Sequence, residues 1–273
     1  MNHKSFSNRA IGVFDSGFGG LDILKNIVKK LPQYDFIYLG DTARAPYGSR
    51  SQEVIFNFTG QAVEFLFKQG CPLVILACNT ASSEALRKVQ EKKYPNKKVL
   101  GVIIPAIERA IELTKNNRVG VMATEGTVNS MAFVKELKKR NAKIKVFQNP
   151  APLLVPIVEA GEHKSEIAKI ALQKYLKPLM AKKIDTLILG CTHYGILEQQ
   201  IKVIASKDIQ VISEGRIVAE KLADYLQRHP EIEKQLSKNS QVKFLTTDLT
   251  AKFQALGSQF FGKLIKPEKI SLD

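Results

Sequence analysis

The sequence predicts an α/β protein built from two similar halves with mainly parallel sheets. Short apolar runs alternate with longer amphipathic segments along all 273 residues, and this alternation is typical of parallel sheets covered by helices. The length suits two domains of about 100–150 residues each. A faint internal duplication is the third observation, because two apolar strands each end at a cysteine.

The elements follow from hydrophobic periodicity. Strands are predicted at residues 10–14, 36–39, 72–77, 99–103, 119–123, 144–147, 184–189, 209–212 and 242–245. Helices are predicted at residues 21–31, 54–69, 81–94, 127–140, 165–180 and 217–227. No low-complexity segment or long linker interrupts this order.

The composition is that of an ordinary globular protein, with 44% hydrophobic and 25% charged residues. The longest apolar run, residues 72–77, is far shorter than the ~20 residues of a membrane span. The N-terminus has no apolar segment behind its basic residues, so no secretory signal is predicted. We therefore expect a cytoplasmic protein without a membrane partner.

The chain has three cysteines, Cys71, Cys78 and Cys191. An odd, small number argues against a disulfide framework and fits a reducing compartment. A strand joining Cys71 to Cys78 would hold them about 23 Å apart, beyond disulfide reach. Cys71 stands at the start of its strand and is interpreted as structural.

The formal charge of +15 is spread along the chain as Lys doublets, and only residues 135–145 are locally dense. Nucleic-acid grooves gather their charge and interleave aromatic residues, so no specific nucleic-acid partner is expected. Such a charge would still attract an anionic substrate such as a dicarboxylate.

The duplication places the two remaining cysteines in matching positions. LVILACNTAS and TLILGCTHYG are both apolar strands that end in Cys before a polar turn and a helix. Earlier in each half, AIGVFDSGFGG and RVGVMATEGT are also similar, and Asp15 precedes Cys78 by 63 residues as Thr124 precedes Cys191 by 67. Each half is therefore predicted to contribute one cysteine from an equivalent place.

Both thiols are expected at the carboxyl end of a parallel strand, where α/β sheets bind ligands. A following helix N-terminus would lower the thiol pKa. Two thiols facing each other across a cleft suit inversion of an amino-acid α-carbon, because one base removes the proton and the other supplies one to the opposite face. Preorganised hydrogen-bond donors would stabilise the carbanion-like state.

Other chemistries fit these residues less well. A zinc site from Cys78, Cys191 and His193 lacks ligand spacing and a fourth ligand. A Cys191–His193 nucleophile pair is disfavoured, because residues i and i+2 do not face each other on a helix. The turn at residues 15–20 fails the dinucleotide and P-loop patterns, and its backbone N–H groups would rather hold a substrate carboxylate.

Eight segments resemble the aspartate/glutamate racemase superfamily, and within it bacterial glutamate racemase. They run in family order from residue 11 to about residue 262 and are IGVFDSGFGG, YLGDTARAPYGSRS, ACNTAS, GVIIPAI, ATEGT, LVPIVEAGE, LILGCTHYGIL and TTDLTAKFQALGSQFFG. The pair ACNTAS and GCTHY is highly specific. Aspartate-racemising relatives typically carry an acidic residue where this chain has His193.

The resemblance implies that Cys78 and Cys191 are the paired proton donor and acceptor. Asp15 would assist Cys78, His193 would assist Cys191, and Glu159 would support the site. The implied substrate contacts are Asp15, Ser16, Tyr47, Gly48, Asn79, Thr80, Thr192 and His193. Glutamate would be the substrate, supplying D-glutamate for peptidoglycan without a cofactor or metal, and a homodimer is left open.

By the same resemblance the chain crosses twice between domains, with residues 1–98 plus 208–273 in one and residues 99–207 in the other. Two departures stand out: the motif that often reads I-D-S-G in relatives is Ile212-Ser213-Glu214-Gly215 here, and Gly195 replaces a common Pro. Two other functions stay open, an aspartate racemase and a binding protein that keeps the fold and acts on nucleic-acid machinery. Only the +15 charge favours the binder, whereas the two intact thiols favour the enzyme.

Overall fold

The computed structural model describes residues 9–272, and within them ten strands form two all-parallel sheets. Most of the N-terminal segment on which the absence of a secretory signal was predicted lies outside the described residues. The strands are β1 (Ile11–Asp15), β2 (Phe36–Gly40), β3 (Leu73–Leu76), β4 (Lys98–Gly101), β5 (Arg118–Ala123), β6 (Lys145–Pro150), β7 (Thr186–Gly190), β8 (Gln210–Ile212), β9 (Val242–Thr246) and β10 (Pro267–Lys269).

Thirteen α-helices lie between or after these strands in residues 9–272. They are α1 (Gly20–Lys30), α2 (Gln52–Lys68), α3 (Asn79–Glu84), α4 (Leu86–Lys88), α5 (Ile103–Leu113), α6 (Glu125–Asn129), α7 (Ala132–Arg140), α8 (Leu154–Glu159), α9 (Glu166–Met180), α10 (Glu198–Ile204), α11 (Glu214–Arg228), α12 (Pro230–Glu233) and α13 (Ala251–Phe261). Two 3₁₀ helices, Thr42–Arg44 and Thr192–Leu197, and a π-helical turn, Val89–Lys93, complete the set. Within this described part no helix is long and apolar enough to cross a membrane.

Burial explains why these segments adopt these structures. Every residue of β1, β2 and β7 is buried, as expected for parallel strands with helices on both faces. In α1 the residues Leu21, Leu24 and Ile27 recur at helical spacing and are buried. Side-chain oxygens cap the N-termini of α2, α6, α9 and α13, from Ser51, Thr124, Ser165 and Thr250.

The sheet topology confirms the predicted parallel α/β class. The first sheet has the strand order β10-β9-β2-β1-β3-β4, and the second has the order β6-β5-β7-β8. The series β2-β1-β3-β4 therefore matches the whole second sheet, with β1 equivalent to β5 and β3 equivalent to β7. The internal duplication seen in the sequence corresponds to this shared topology.

Several boundaries differ from the predicted ones. The strand predicted through residue 103 ends at Gly101, and Ile103 already begins α5. The prediction ran too far because the apolar run contains no turn residue between strand and helix. The helix predicted at residues 127–140 is divided at Met131, whose φ of 58° is left-handed. The predicted elements also do not include β10 or the helices α5, α8, α10, α12 and α13.

The division into two domains stays a proposal, but the sheets refine its boundaries. Strand β4 pairs with β3 and β8 pairs with β7. Residues 99–101 therefore belong to the first sheet and residues 210–212 to the second, a few residues beyond the predicted crossings at residues 98–99 and 207–208.

Candidate active site

The two candidate thiols lie just beyond equivalent central strands. Cys78 follows β3, separated from it by Ala77, and Cys191 follows β7 directly. Asp15 ends β1, the neighbour of β3, and Thr124 follows β5, the neighbour of β7. Because the carboxyl ends of parallel strands share one edge of a sheet, each half carries its polar residues and its thiol on that edge.

The two carboxyl edges face each other and are in contact. Thr192 Oγ1 donates to Asp15 Oδ1 at 3.4 Å, and the hydroxyls of Thr80 and Thr124 share a hydrogen bond of 3.0 Å. The backbone N–H of Gly126 donates to the carbonyl oxygen of Gly48 at 2.9 Å. The residues on both edges therefore belong to a single crevice between the two halves.

Around Cys78 the neighbours are hydroxyl and backbone groups. Its thiol shares a hydrogen bond of 3.4 Å with Ser16 Oγ, and the N–H of Ala81 donates to its sulfur at 3.5 Å. The side chain is 5% exposed. Burial, followed by the charge of Asp15, raises the pKa of Cys78 to about 11.

Around Cys191 the main neighbour is an imidazole. The sulfur lies 4.0 Å from His193 Nδ1, and the residue is 8% exposed. Burial raises the pKa of Cys191 well above its usual value, and negative charge on Cys78, Asp15 and Glu214 raises it further. These electrostatic couplings place both thiols within range of each other's charge.

The expectation that helix N-termini would lower both thiol pKa values is wrong in this structure. The helix after Cys78 has only six residues, and the one after Cys191 is a six-residue 3₁₀ helix. Such short helices have few aligned peptide dipoles. Removal of the thiols from water therefore outweighs the local donors, and both pKa values rise.

The objection to a contact between Cys191 and His193 is also wrong. Cys191 has extended backbone angles, φ −155° and ψ 135°, and precedes the helix instead of lying within it. The side chains at positions i and i+2 can therefore meet. On the other side of the ring, His193 Nε2 lies 3.3 Å from Glu159 Oε1. His193 therefore contacts Cys191 through one ring nitrogen and Glu159 through the other.

Glu159 and Asp15 are carboxyls with opposite pKa shifts. Burial alone would raise the pKa of Glu159, but its contact with His193 and the charge of that ring outweigh burial, and the pKa is lowered. Asp15 is fully buried, and this burial raises its pKa despite the charge of His193 and the donors from Gly17, Gly20 and Thr192.

The remaining predicted contact residues lie at the same crevice, but some of their polar groups already have hydrogen-bond partners. The hydroxyl of Tyr47 donates to Asp41 Oδ2 at 2.5 Å, so that hydroxyl already has a partner. Thr80 also contacts the hydroxyl of Thr127 at 3.4 Å, and Asn79 is 2% exposed. The structure thus brings all of the predicted site residues to the crevice or its immediate wall.

The glycine-rich turn after β1 packs tightly against the Cys191 side. A Cβ on Gly19 would lie 2.4 Å from Thr192 Oγ1 and 2.7 Å from His193 Nδ1, so only glycine fits there. The N–H of Gly17 donates to Asp15 Oδ2 at 3.0 Å. One of the N–H groups predicted to hold a substrate carboxylate is therefore already occupied.

Sequence reasoning noted Glu214 only as part of a departure from the family motif, and it gave no role to Thr124. Glu214 is 4% exposed and accepts a hydrogen bond of 2.7 Å from Asn79 Nδ2. It lies two residues beyond β8, so the position of a polar residue just after a strand was the signal that could have found it. Thr124 was noted only for its spacing, but its hydroxyl caps α6 and contacts Thr80.

The metal alternative gains no support from the described residues. Within residues 9–272 no group of three or more His, Cys, Asp or Glu side chains is arranged to hold a metal ion. The three cysteines are free, and Cys71 is buried in the core, as its structural interpretation predicted.

Two parallel sheets that present one thiol each to a shared crevice define a racemase-type α/β protein. The chain belongs to the Asp/Glu/Hydantoin racemase family, whose model matches residues 11–222. Glutamate racemase from Geobacter metallireducens is 39% identical over 267 residues, which cover 97% of each chain. The predicted resemblance to glutamate racemases is therefore confirmed.

Solved structures agree with this assignment. Glutamate racemase from Francisella tularensis, crystallised with D-glutamate, is 38% identical, with a TM-score of 0.89 over 97% of this chain and 98% of that one. A glutamate racemase isoform from Bacillus anthracis has a TM-score of 0.90 at 35% identity, with the same coverage. The similarity extends over both halves and is not limited to one motif.

Proposed function

We propose that the chain interconverts L- and D-glutamate with Cys78 and Cys191 as the two bases, without a cofactor. The observation that carries this proposal is the position of the thiols at the ends of equivalent strands, β3 and β7, on opposite sides of one crevice. An α-carbon bound between them would present one face to each sulfur.

The reaction requires one thiolate and one thiol. The thiolate removes the α-proton, the C–H electron pair moves onto the α-carbon and its carboxylate, and the opposite thiol delivers its proton to the other face. The product leaves with inverted configuration, and the protonation states of the two sulfurs have exchanged. Each positioned proton transfer contributes about 10²–10⁴-fold.

The neighbours of each thiol supply the missing base. Because burial raises both thiol pKa values, each sulfur holds its proton in the free protein at neutral pH. We propose that His193, oriented by Glu159, accepts the proton of Cys191, and that Asp15 does so for Cys78. The contacts of His193 at 4.0 Å to Cys191 and 3.3 Å to Glu159 support the first assignment.

The hydroxyl and amide groups of the crevice are proposed to bind the substrate. Ser16, Thr80 and Thr192 offer donors to carboxylates, and Asn79 offers an amide. Tyr47 and Gly48 would act through the ring and the backbone, because the Tyr47 hydroxyl is bonded to Asp41. Both thiols are almost fully buried, so substrate entry requires the two halves or their loops to separate.

Glutamate is favoured over aspartate by His193, since aspartate-racemising relatives typically carry an acid there. The glutamate complex of the Francisella tularensis relative supports the same substrate. The product would be D-glutamate for peptidoglycan. A cytoplasmic location, where thiols stay reduced, and a homodimer are further proposals, to be tested by fractionation and sedimentation.

Circular dichroism of the purified protein tests the proposal directly. Without added cofactor, the ellipticity of an L-glutamate solution should decay to zero as the racemate forms. The ellipticity of an L-aspartate solution should stay mostly unchanged over the same period. EDTA should have no effect. Activity that required pyridoxal phosphate or a metal, or that was restricted to aspartate, would contradict the proposal.

The basic surface is proposed to be incidental. DNA retention should be weak and should fall steeply between 50 and 200 mM salt, as counterion release requires of a non-specific contact of roughly 6–10 phosphates. A sequence-specific complex that survives at 200 mM salt would instead favour the binding-protein alternative.

A further inference from the structure

A buried acid lies against the predicted substrate contact Asn79, and the family resemblance gives it no role. Glu214 begins α11, two residues after β8, and contacts Asn79, which lies 135 residues earlier in the chain. The Glu214–Asn79 contact lies beside Cys78 and joins the start of α11 to the start of α3.

The contact fixes which way the Asn79 amide points. Asn79 Nδ2 donates to Glu214 Oε2 at 2.7 Å. The oxygen and nitrogen of an amide lie on opposite branches of one planar group, so holding Nδ2 at Glu214 directs Oδ1 away from it. Among the described residues Asn79 Oδ1 is buried and has no hydrogen-bond partner. A buried acceptor of this kind is costly unless a ligand or an ordered water donates to it.

A donor-only group on the substrate matches this acceptor. The α-ammonium group of an amino acid, like that of a lysine side chain, has three N–H donors and no acceptor. Asn79 directly follows Cys78 in the chain. The nitrogen of an ammonium group bound by Asn79 Oδ1 is bonded to the α-carbon of the substrate, so that carbon would lie next to the Cys78 sulfur. The amide in the opposite orientation would present its NH₂ group and repel the ammonium group.

Glu214 is suited to hold the amide without adding a strong charge. Burial, followed by the charge of Asp15, raises its pKa to about 8, although the Asn79 hydrogen bond opposes this rise. At neutral pH most molecules therefore have an uncharged carboxyl here, which can still accept through one oxygen. With the proton on Oε1, which is buried without a hydrogen-bond partner among the described residues, Oε2 stays an acceptor for Asn79 Nδ2. An uncharged carboxyl also repels the carboxylates of a dicarboxylic substrate less than a carboxylate would.

We propose that Glu214 is a positioning residue that holds the Asn79 amide with Oδ1 toward the α-ammonium group of the substrate. The inference rests on the proposed function, which places an amino acid between Cys78 and Cys191. Glu214 acts through Asn79 and does not touch the reacting atoms, so it should control substrate affinity more than the rate of proton transfer.

A double-mutant cycle with Asn79 tests this inference. Glu214→Ser, which removes the carboxyl, should raise the KM for L-glutamate about tenfold, the effect of one lost hydrogen bond, and change kcat by less than about twofold. Glu214→Gln keeps an oxygen acceptor and should raise KM less. In an Asn79→Ala background, Glu214→Ser should cause no further rise in KM, because coupled residues are not additive.

Ser213→Ala is the matched control, since its side chain is in the same turn but makes no hydrogen bond to Asn79 among those described. Thermal unfolding of each variant separates folding from affinity. If Glu214→Ser does not fold, the same cycle with Glu214→Gln decides. An unchanged KM, or an equal rise in KM with and without Asn79, would overturn the inference. A wild-type protein inactive on glutamate would instead overturn the proposed function.

Discussion

The Cys78 and Cys191 sides of the crevice occupy equivalent positions but differ in their neighbours. Cys78 is bonded to Ser16 and to the backbone of a short α-helix, with the buried carboxyl of Asp15 within range of its charge. Cys191 instead lies beside His193, which contacts Glu159. The shared topology places the two sulfurs, whereas the local sequence after each strand determines the base beside each one.

This difference matters because burial raises the pKa of both thiols. An anionic neighbour such as Asp15 makes the Cys78 thiolate harder to form, and an imidazole that accepts the proton of Cys191 becomes a cation that stabilises the thiolate. In the proposed mechanism the two directions of the reaction therefore begin from unlike acid–base pairs. Variants of residues on one side of the crevice should therefore affect proton abstraction from one enantiomer more than from the other.

The largest expected effect is the loss of either thiol. Cys78→Ser and Cys191→Ser should each reduce racemisation at least ~10³-fold in both directions, because every turnover uses both sulfurs and a serine hydroxyl is too weak an acid to replace a thiol. Half-reactions should survive on analogues that eliminate a leaving group after one proton abstraction. The family resemblance implies that Cys191 abstracts the proton of L-glutamate and Cys78 that of D-glutamate. Cys78→Ser should therefore process the L-analogue through Cys191, and Cys191→Ser the D-analogue through Cys78. Near-normal racemisation by either variant would require a one-base mechanism.

The next effect should distinguish the two assisting bases. His193→Asn should slow elimination from the L-analogue about 10²-fold and change elimination from the D-analogue little, whereas Asp15→Asn should do the reverse. Racemisation itself cannot show this difference, because enantiomers have equal free energies and kcat/KM must fall equally in both directions. Equal losses on both analogues would show that the two sides are not independent.

A smaller effect is expected from the glycine-rich turn. Gly19→Ala would place a Cβ 2.4 Å from Thr192 Oγ1 and should displace the Cys191 side, slowing the L-analogue reaction about tenfold. Gly17→Ala is its control, because the nearest atom to that Cβ, Asp15 Oδ2, is 4.0 Å away. If both variants behave alike, the turn does not position the Cys191 side.

The smallest effect concerns stability, and it contrasts the two glutamates. The folded protein holds the Glu214 proton more tightly than the unfolded chain, so stability from this group is lost as pH rises from 4.5 toward about 8. Wild type should therefore lose stability relative to Glu214→Gln over that range, by a few degrees of Tm. Glu159, with its lowered pKa, should stabilise above its usual pKa and lose this effect as pH falls. Denaturant titrations of wild type and Glu214→Gln across this pH range give the free energy of unfolding of each protein. If the two free energies changed in parallel, the raised pKa of Glu214 would be wrong.

Sequence periodicity predicted most strands and the longer helices, because burial of alternating elements leaves a regular apolar pattern. It was weaker at α5, where one apolar run continues from strand to helix without a turn residue, and at Met131, where a left-handed residue divides a helical pattern. The strand β10 has only three residues, too few to show a period, and the helix α13 was not recognised although it has eleven.

The sequence by itself predicted the positions of the two thiols, because a duplicated strand–Cys pattern can be recognised without coordinates. Tertiary structure determined the surroundings of those thiols and therefore their pKa values. Burial raises the thiol pKa values that helix termini were expected to lower, and extended backbone at Cys191 brings His193 into contact. Packing of α11 against the first half places Glu214 on Asn79, 135 residues away along the chain. Burial and long-range contacts are properties of the packed chain, and no local pattern records them.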